Sequence, residues 1–510
     1  MATKAVKLNS AQVVGLRGEV IDVEVDLSRG LKKLTIVGLP DKAVEESLER
    51  ISAAIKNSGL VSPQKRNQRV VVALAPADLK KEGPVFDVAI ALGYLKASEQ
   101  IDFDAEGKLF LGELSLNGRL RPVRGVLPIA KRAKEAGFAE LFVPQGNGAE
   151  AALIAGLQIF EAASLNDILE HLRGAVLIPP HSETRVTERE TLAYDADFAD
   201  IKGQEAAKRG LVIAASGGHN LIMSGPPGTG KTMLAKALPS ILPPLSTDEV
   251  VEVTTIHSVI GNLRGNIMET RPFRAPHHTS SYVALVGGGT VPRPGEITLA
   301  HRGVLFLDEF PEFDRRVIEA LREPLENGKI AVSRAKGTLE FPARIMLICA
   351  MNPCPCGHLG SKTRLCHCPQ QALSRYSQKI SGPIADRLDL WLTVDAVEHA
   401  ELGEKKTGAT STALRTQVLA ARERQAARFA GTKITANSEM SAKDLETFAP
   451  LSVPARLILN QAAKNLDLSP RSYHRVIKIA RTIADLAAST DIKDEHLLEA
   501  LQYRPPRTED

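Results

Sequence analysis

Three rhythms of apolar residues divide the chain. Over residues 1–173, runs rich in β-branched side chains (13–25 and 70–74) alternate with segments of helical apolar spacing (41–58 and 126–136). This predicts a mixed α/β domain. Over residues 198–395, short apolar strands alternate with helices, the pattern of a parallel sheet covered on both faces. Residues 221–223, 304–307 and 345–349 are its expected central strands. After Ser411 the pattern is almost wholly helical, which predicts a small bundle over residues 396–510 that ends in a polar stub, 505–510. Between the first two rhythms lies IPPHSETRVTERET (178–191), with adjacent prolines and many polar residues. It reads as part of a linker, 174–197.

Composition adds limits. A chain of 510 residues exceeds one hydrophobic core and suggests about three domains. With 44% hydrophobic and 24% charged residues, the class is ordinary globular. A net charge of +4 does not diagnose a nucleic-acid partner, so any basic surface must be local. The start, MATKAVKLNS, lacks the apolar core of a signal peptide, and no apolar run approaches the roughly 18 residues of a membrane span. A cytoplasmic protein with no membrane partner is the default expectation. There the five cysteines read as thiols or metal ligands rather than disulfides.

The strongest chemical signal is GPPGTGKT, running through Gly225, Pro226, Pro227, Gly228, Thr229, Gly230, Lys231 and Thr232. It follows an apolar strand and precedes a helical run, the setting a phosphate loop requires. The glycines let main-chain N–H groups face phosphates, and the helix adds its N-terminal dipole. Lys231 would neutralise the terminal phosphates of ATP, and Thr232 would hold Mg²⁺. About 75 residues later, VLFLDEF ends a buried strand on two carboxylates. Asp308 can reach the Mg²⁺ shell and Glu309 can polarise the attacking water.

Cys354, Cys356, Cys366 and Cys368 form C-x-C-x₉-C-x-C. Four soft ligands in two pairs suit a structural, tetrahedral Zn²⁺ that braces the loop leading towards Arg387; reduced thiols are the alternative. His358 and His367 could substitute for one cysteine. Cys349, inside an apolar strand, reads as a small core residue.

With the two carboxylates in place, IMLICAMN (345–352) resembles the sensor strand of AAA+ ATPases, which implies that Asn352 orients the hydrolytic water. DRLDL (386–390) resembles the arginine-finger motif of magnesium chelatases and replicative helicases. Arg387 would then complete a neighbouring subunit's site. SPRSYHRVIKIARTIADL (469–486) resembles the sensor-2 helix, with Arg471 reaching the γ-phosphate from the lid. FADIKGQEAAKRGL (198–211) resembles the entry segment that packs on adenine, through Ile201 and Gly203. Over essentially the whole length, and specifically at 271–309 and 375–390, the chain resembles the magnesium-chelatase-related ComM competence helicases. That resemblance implies a hexameric ring driving DNA branch migration during natural transformation and recombination, with recombination proteins as further partners. The alternative it leaves is a chelatase-like motor that remodels a partner protein without DNA.

KIAVSRAKGTLEFPARIMLI (329–348) predicts a hairpin tipped by Arg334 and Lys336. From the residues alone it is either a solvated turn or a grip on a phosphate backbone; the family implies a pore-facing, DNA-binding hairpin. His277 and His278, ahead of Gly287, Gly288 and Gly289, would line the same pore.

Finally, residues 74–145 resemble the Lon proteolytic domain, a ribosomal-S5-like fold. By that resemblance Val85 stands at the position of its serine nucleophile and Leu127 at that of its lysine, so peptidase chemistry is not expected. Arg119, Arg121, Arg124, Lys131, Arg132 and Lys134 form a basic cluster, either solvated or bound to phosphates.

Overall fold

The computed structural model describes residues 5–184, 186, 196–263, 267–289, 292–334, 337–360, 364–396 and 408–505. The chain forms two compact units, Met1–Thr187 with Ser246–Glu269, and Glu188–Leu245 with Thr270–Asp510.

The first unit is built on a four-stranded sheet. Strands Val6–Val14 and Arg17–Arg29 form a hairpin, Gln68–Ala75 pairs antiparallel with the second, and Lys33–Val37 lies parallel on the edge. The β-branched run 13–25 therefore straddles a turn. Strict alternation sets its inward face: Ile21, Val23 and Val25 are fully buried, with Val23 opposite Leu74 and Val25 opposite Val72 of the neighbouring strand. Helix Asp87–Ala97 is buried along Asp87–Leu95, and Gly93 lets it approach Val25, where a Cβ would stand 2.8 Å from a methyl. A parallel sheet of Lys108–Phe110, Glu140–Pro144 and Gln158–Ala162 completes the core, with Phe110, Phe142 and Phe160 stacked at 4.9 and 5.0 Å.

Helix Thr247–Ile260, capped by Ser246 and Glu249, also belongs to this unit although it interrupts the second one in sequence. The buried Glu150 carboxylate accepts from Ser258 Oγ and from Asn147 Nδ2 (2.7 Å), and Gly125 N–H donates to the Ser258 carbonyl at 3.1 Å. Part of the proline-rich stretch is equally engaged: Thr184 N–H donates to Ala152 O at 3.1 Å. Residues 185 and 187–191 of that stretch lie outside the described residues.

In the second unit, five parallel strands run in the order Phe273–Arg274, Val304–Leu307, Met346–Met351, Leu221–Ser224, Leu390–Thr393. The central ones are buried throughout, which is why they read as unbroken apolar runs. Helices Ser411–Arg428, Ala442–Phe448, Val453–Leu466, Pro470–Leu486 and Asp494–Gln502 form the lid. A buried polar network joins it to the sheet: the His219 ring meets Thr482 Oγ1 at 2.8 Å, and Asn437 donates to both Thr482 and Asp485. No helix of the described residues is long and apolar enough to cross a membrane.

Candidate nucleotide site and cysteine cluster

The loop between strand Leu221–Ser224 and helix Lys231–Ala237 turns where Gly228 and Gly230 adopt φ of +79° and +90°, conformations that cost other residues energy. Gly225 is required for another reason: a Cβ there would lie 2.1 Å from the Val394 carbonyl. Lys231 Nζ is held inside, donating to Gly225 O (2.6 Å) and Pro226 O (2.8 Å) and lying 3.4 Å from Asn352 Oδ1. Desolvation pulls its pKa below the ordinary lysine value, against the nearby charge of Asp308. Thr232 Oγ1 donates to Asp308 Oδ2 at 2.8 Å. The loop threonine and the strand-end carboxylate thus converge on one point, and hydroxyl plus carboxylate is a donor set suited to Mg²⁺.

Glu309 follows with φ of +52°, uncommon for a side chain of its size, and about half of its side chain is exposed. Its Oε2 is 3.0 Å from His278 Nδ1, and the His278 ring lies 4.2 Å from that of His277. The sequence pattern offered His278 only as a pore residue; its partner here is the second carboxylate of the site. Ile201 is buried, and Gln204, three residues on, donates to Thr229 O (3.3 Å) and Asp395 O (2.6 Å). The entry segment so abuts the phosphate loop, and Gly203 takes φ of +60°.

Arg387 and Arg471 lie elsewhere. Both line a cavity of about 720 Å³ that includes Glu326, Arg344, Lys433, Arg475 and Lys478 but no residue of 225–232. Arg387 is 7% exposed, ion-pairs with Glu326 and donates to Pro383 O. Burial, reinforced by Arg471 and Arg322, pulls its guanidinium pKa down. Two residues that the motifs did not single out hold this turn. Asn220 donates to Arg387 O at 3.2 Å, and Arg475 of the lid donates to Leu388 O at 2.8 Å. Arg471 therefore sits beside Arg387 and not beside Lys231.

The four cysteine sulfurs lie within 4.8 Å of one another, with Cys354, Cys356 and Cys366 separated by 3.4, 3.7 and 3.6 Å. A zinc tetrahedron with bonds of about 2.3 Å has edges of about 3.8 Å, so this spacing fits the ion. An N–H from His358 draws the Cys356 thiol down to about 6, while, against an N–H from Cys368, burial and the neighbouring sulfurs push the Cys366 thiol up to about 12. Cys349 is fully buried, as a core residue.

Strands Lys329–Arg334 and Gly337–Pro342 pair antiparallel, with Arg334 opposite Gly337. Lys336 lies outside the described residues. In the first unit Val85 and Leu127 are buried, at 8% and 0% exposure. The basic cluster there is partly neutralised: Arg121 pairs with Glu113 at 3.1 Å and Arg132 with Glu135 at 3.9 Å.

Three family profiles match the chain: magnesium chelatase, subunit ChlI, over residues 197–402; subunit ChlI of Mg-chelatase over 23–147; and the ChlI C-terminal region over 408–504. Competence protein ComM of Haemophilus influenzae is 43% identical over 501 residues, covering 96% of each chain. The uncharacterized protein YifB of Salmonella typhimurium is 41% identical over 98% of this chain and 96% of its own. Lon protease 2 of Bacillus subtilis is 26% identical over 33% of this chain and 32% of its own length.

Proposed function

This chain belongs to the magnesium-chelatase ChlI family of AAA+ ATPases, in its ComM-type branch, and we propose that it works as a hexameric DNA motor that hydrolyses ATP to drive branch migration. Family membership brings ATP and Mg²⁺ as cofactors. The observation that carries the reading is the convergence of Lys231, Thr232, Asp308 and Asn352 at the mouth of one strand-to-helix loop. Thr232 and Asp308 would hold Mg²⁺, which would neutralise phosphate charge. Lys231 would leave its own loop carbonyls for the terminal phosphates, Asn352 would orient water, and Glu309 would accept its proton. Ile201 and Gly203 would shape the adenine side.

Arg387 and Arg471 share a cavity that the phosphate loop does not line, so their natural target is the nucleotide of a neighbouring copy. That requirement supports a ring. Helicase action rests on the hairpin bearing Arg334 and Lys336, and on the competence role carried in the name of the Haemophilus relative. A role in natural transformation and recombination follows from the same likeness. The runner-up is a motor acting on a partner protein, favoured by the chelatase description of the matched family.

One experiment separates them. ATPase activity is measured with single-stranded, duplex and forked DNA, for the unmodified protein and for Lys336→Ala. The DNA motor expects stimulation by forked DNA, a substantially unchanged basal rate in the variant, and loss of its stimulation and branch migration. Its DNA binding should also show a shallower salt dependence, by about one counterion per lost contact. Absence of DNA binding by unmodified protein at low salt would overturn the helicase reading and leave the protein remodeller.

A further inference from the structure

The cysteine cluster sits on the same short bend that supplies the sensor amide. Strand Met346–Met351 ends, Asn352 follows, and Cys354 and Cys356 come next, with Gly357 closing a turn through its N–H to Cys354 O at 2.9 Å. Both ends of this bend touch the phosphate loop. At one end Asn352 Oδ1 lies 3.4 Å from Lys231 Nζ. At the other, Gly357 is pressed on Pro227, where an added Cβ would stand 2.7 Å from the proline Cδ and 3.0 Å from its Cγ. The two cysteines between these contacts are joined by Cys366 Sγ, 3.7 and 3.6 Å from theirs. The segment after Cys366 leads into helix Gln370–Ser377.

We propose that Cys354, Cys356, Cys366 and Cys368 bind one Zn²⁺ and that this ion sets the shape of the phosphate loop by clamping the 352–357 bend against it. The inference rests on the nucleotide site proposed above and adds a control on it. The Gly357 N–H bond to Cys354 O and the Leu359 N–H on Cys354 Sγ (3.3 Å) close the turn, and a metal bonded at residues 354 and 356 would lock it between its Asn352 and Gly357 ends. Displacing groups that position a substrate by about 1 Å costs on the order of 10²-fold in rate, so a slack bend would reach ATP turnover without any ligand of the metal touching ATP. The soft thiolate set selects Zn²⁺ over Mg²⁺, which keeps this ion distinct from the one at Thr232 and Asp308.

Two glycines of the loop supply a matched test. Gly357 and Gly360 both adopt left-handed backbone, with φ of +79° and +74°, so alanine strains each alike. Only at Gly357 does the new methyl meet the phosphate loop; around Gly360 no described atom lies within 4 Å. Zinc content by elemental analysis and affinity for a fluorescent ATP analogue are measured on full-length unmodified protein, Gly357→Ala, Gly360→Ala, and Cys354→Ser with Cys368→Ser. The expected result is about one Zn per chain in the first three. Nucleotide affinity should drop about tenfold or more, and hydrolysis by on the order of 10²-fold, in Gly357→Ala and in the double cysteine variant, but not in Gly360→Ala. Metal-free unmodified protein from zinc-replete medium overturns the site. Full nucleotide affinity in Gly357→Ala, which keeps its metal and so does not depend on whether the cysteine variant folds, overturns the clamp alone. If unmodified, zinc-loaded protein binds no nucleotide, the nucleotide site itself falls.

Discussion

Two buried or half-buried carboxylates show how differently the two units use charge. In the N-terminal unit, Asp87 has a fully buried side chain and is answered on every side: Arg50 donates to it at 3.0 and 3.2 Å and Leu114 N–H at 3.1 Å. In the ATPase unit, Glu309 is half exposed, on left-handed backbone, with a histidine as its partner. The first carboxylate is satisfied in place and has nothing left to do. The second is held but not saturated, at the end of a strand whose other carboxylate already contacts Thr232. In the Lon-like unit, Val85 and Leu127 are likewise buried. Polar groups converge in one unit and are neutralised in the other.

That contrast breaks first, and hardest, at the phosphate loop. Lys231→Ala should abolish nucleotide binding and turnover together, while Glu309→Gln should bind ATP normally and fail to hydrolyse it. Equilibrium binding of labelled ATP alongside phosphate release reads both. Hydrolysis by Glu309→Gln at the unmodified rate would remove Glu309 as the base. The next effect is nearly as large. Arg387→Ala should lower turnover by about 10³-fold, as for other arginine fingers, with ATP affinity much less affected. Mixing it with Lys231→Ala protein should restore part of the activity, since some interfaces then pair an intact loop with an intact arginine. Demonstrated mixed rings without recovery would place the arginine's action within one chain.

Much of the ATPase unit was legible because buried parallel strands are continuous apolar runs, and because a phosphate loop needs glycine where φ turns positive. Gly228 and Gly230 stand at such turns. Contacts between distant segments were not legible. Helix Thr247–Ile260 interrupts the ATPase unit in sequence, and nothing in its sequence says which body it packs with; it belongs with the N-terminal unit, held through Glu150 and Gly125. His278 has a loop's sequence, and only the fold brings it to Glu309. Arg471 is visible at a helix start, yet which site it serves depends on where the lid carries that helix. The run 13–25 has the composition of a strand throughout, and its β-branched pattern hides the hairpin turn at Gly15 and Leu16. A left-handed glycine supplies that turn.

The smallest effect on turnover, and the sharpest test of the contrast, lies in the N-terminal unit. Burial pushes the Asp87 carboxyl up to about 7, against the pull of Arg50. Arg50→Ala would leave that carboxylate buried without its cation, at a cost of about 3–5 kcal/mol. Because the folded value lies above the unfolded one, the contribution of Asp87 to stability is greatest at low pH and is lost as pH rises through about 7. Removing the arginine deepens that loss, so the deficit of the variant should widen from pH 5 to pH 8 in thermal or urea unfolding of the full chain. At a temperature where both proteins are folded, ATP turnover should stay within about twofold, since an isolated site far in sequence from the nucleotide residues should act independently of them. A deficit that is flat with pH would mean the pair holds its geometry without Asp87 ionising. A collapse of turnover in the folded variant would mean that the N-terminal unit is not the inert partner its saturated carboxylate implies, but a working part of the motor.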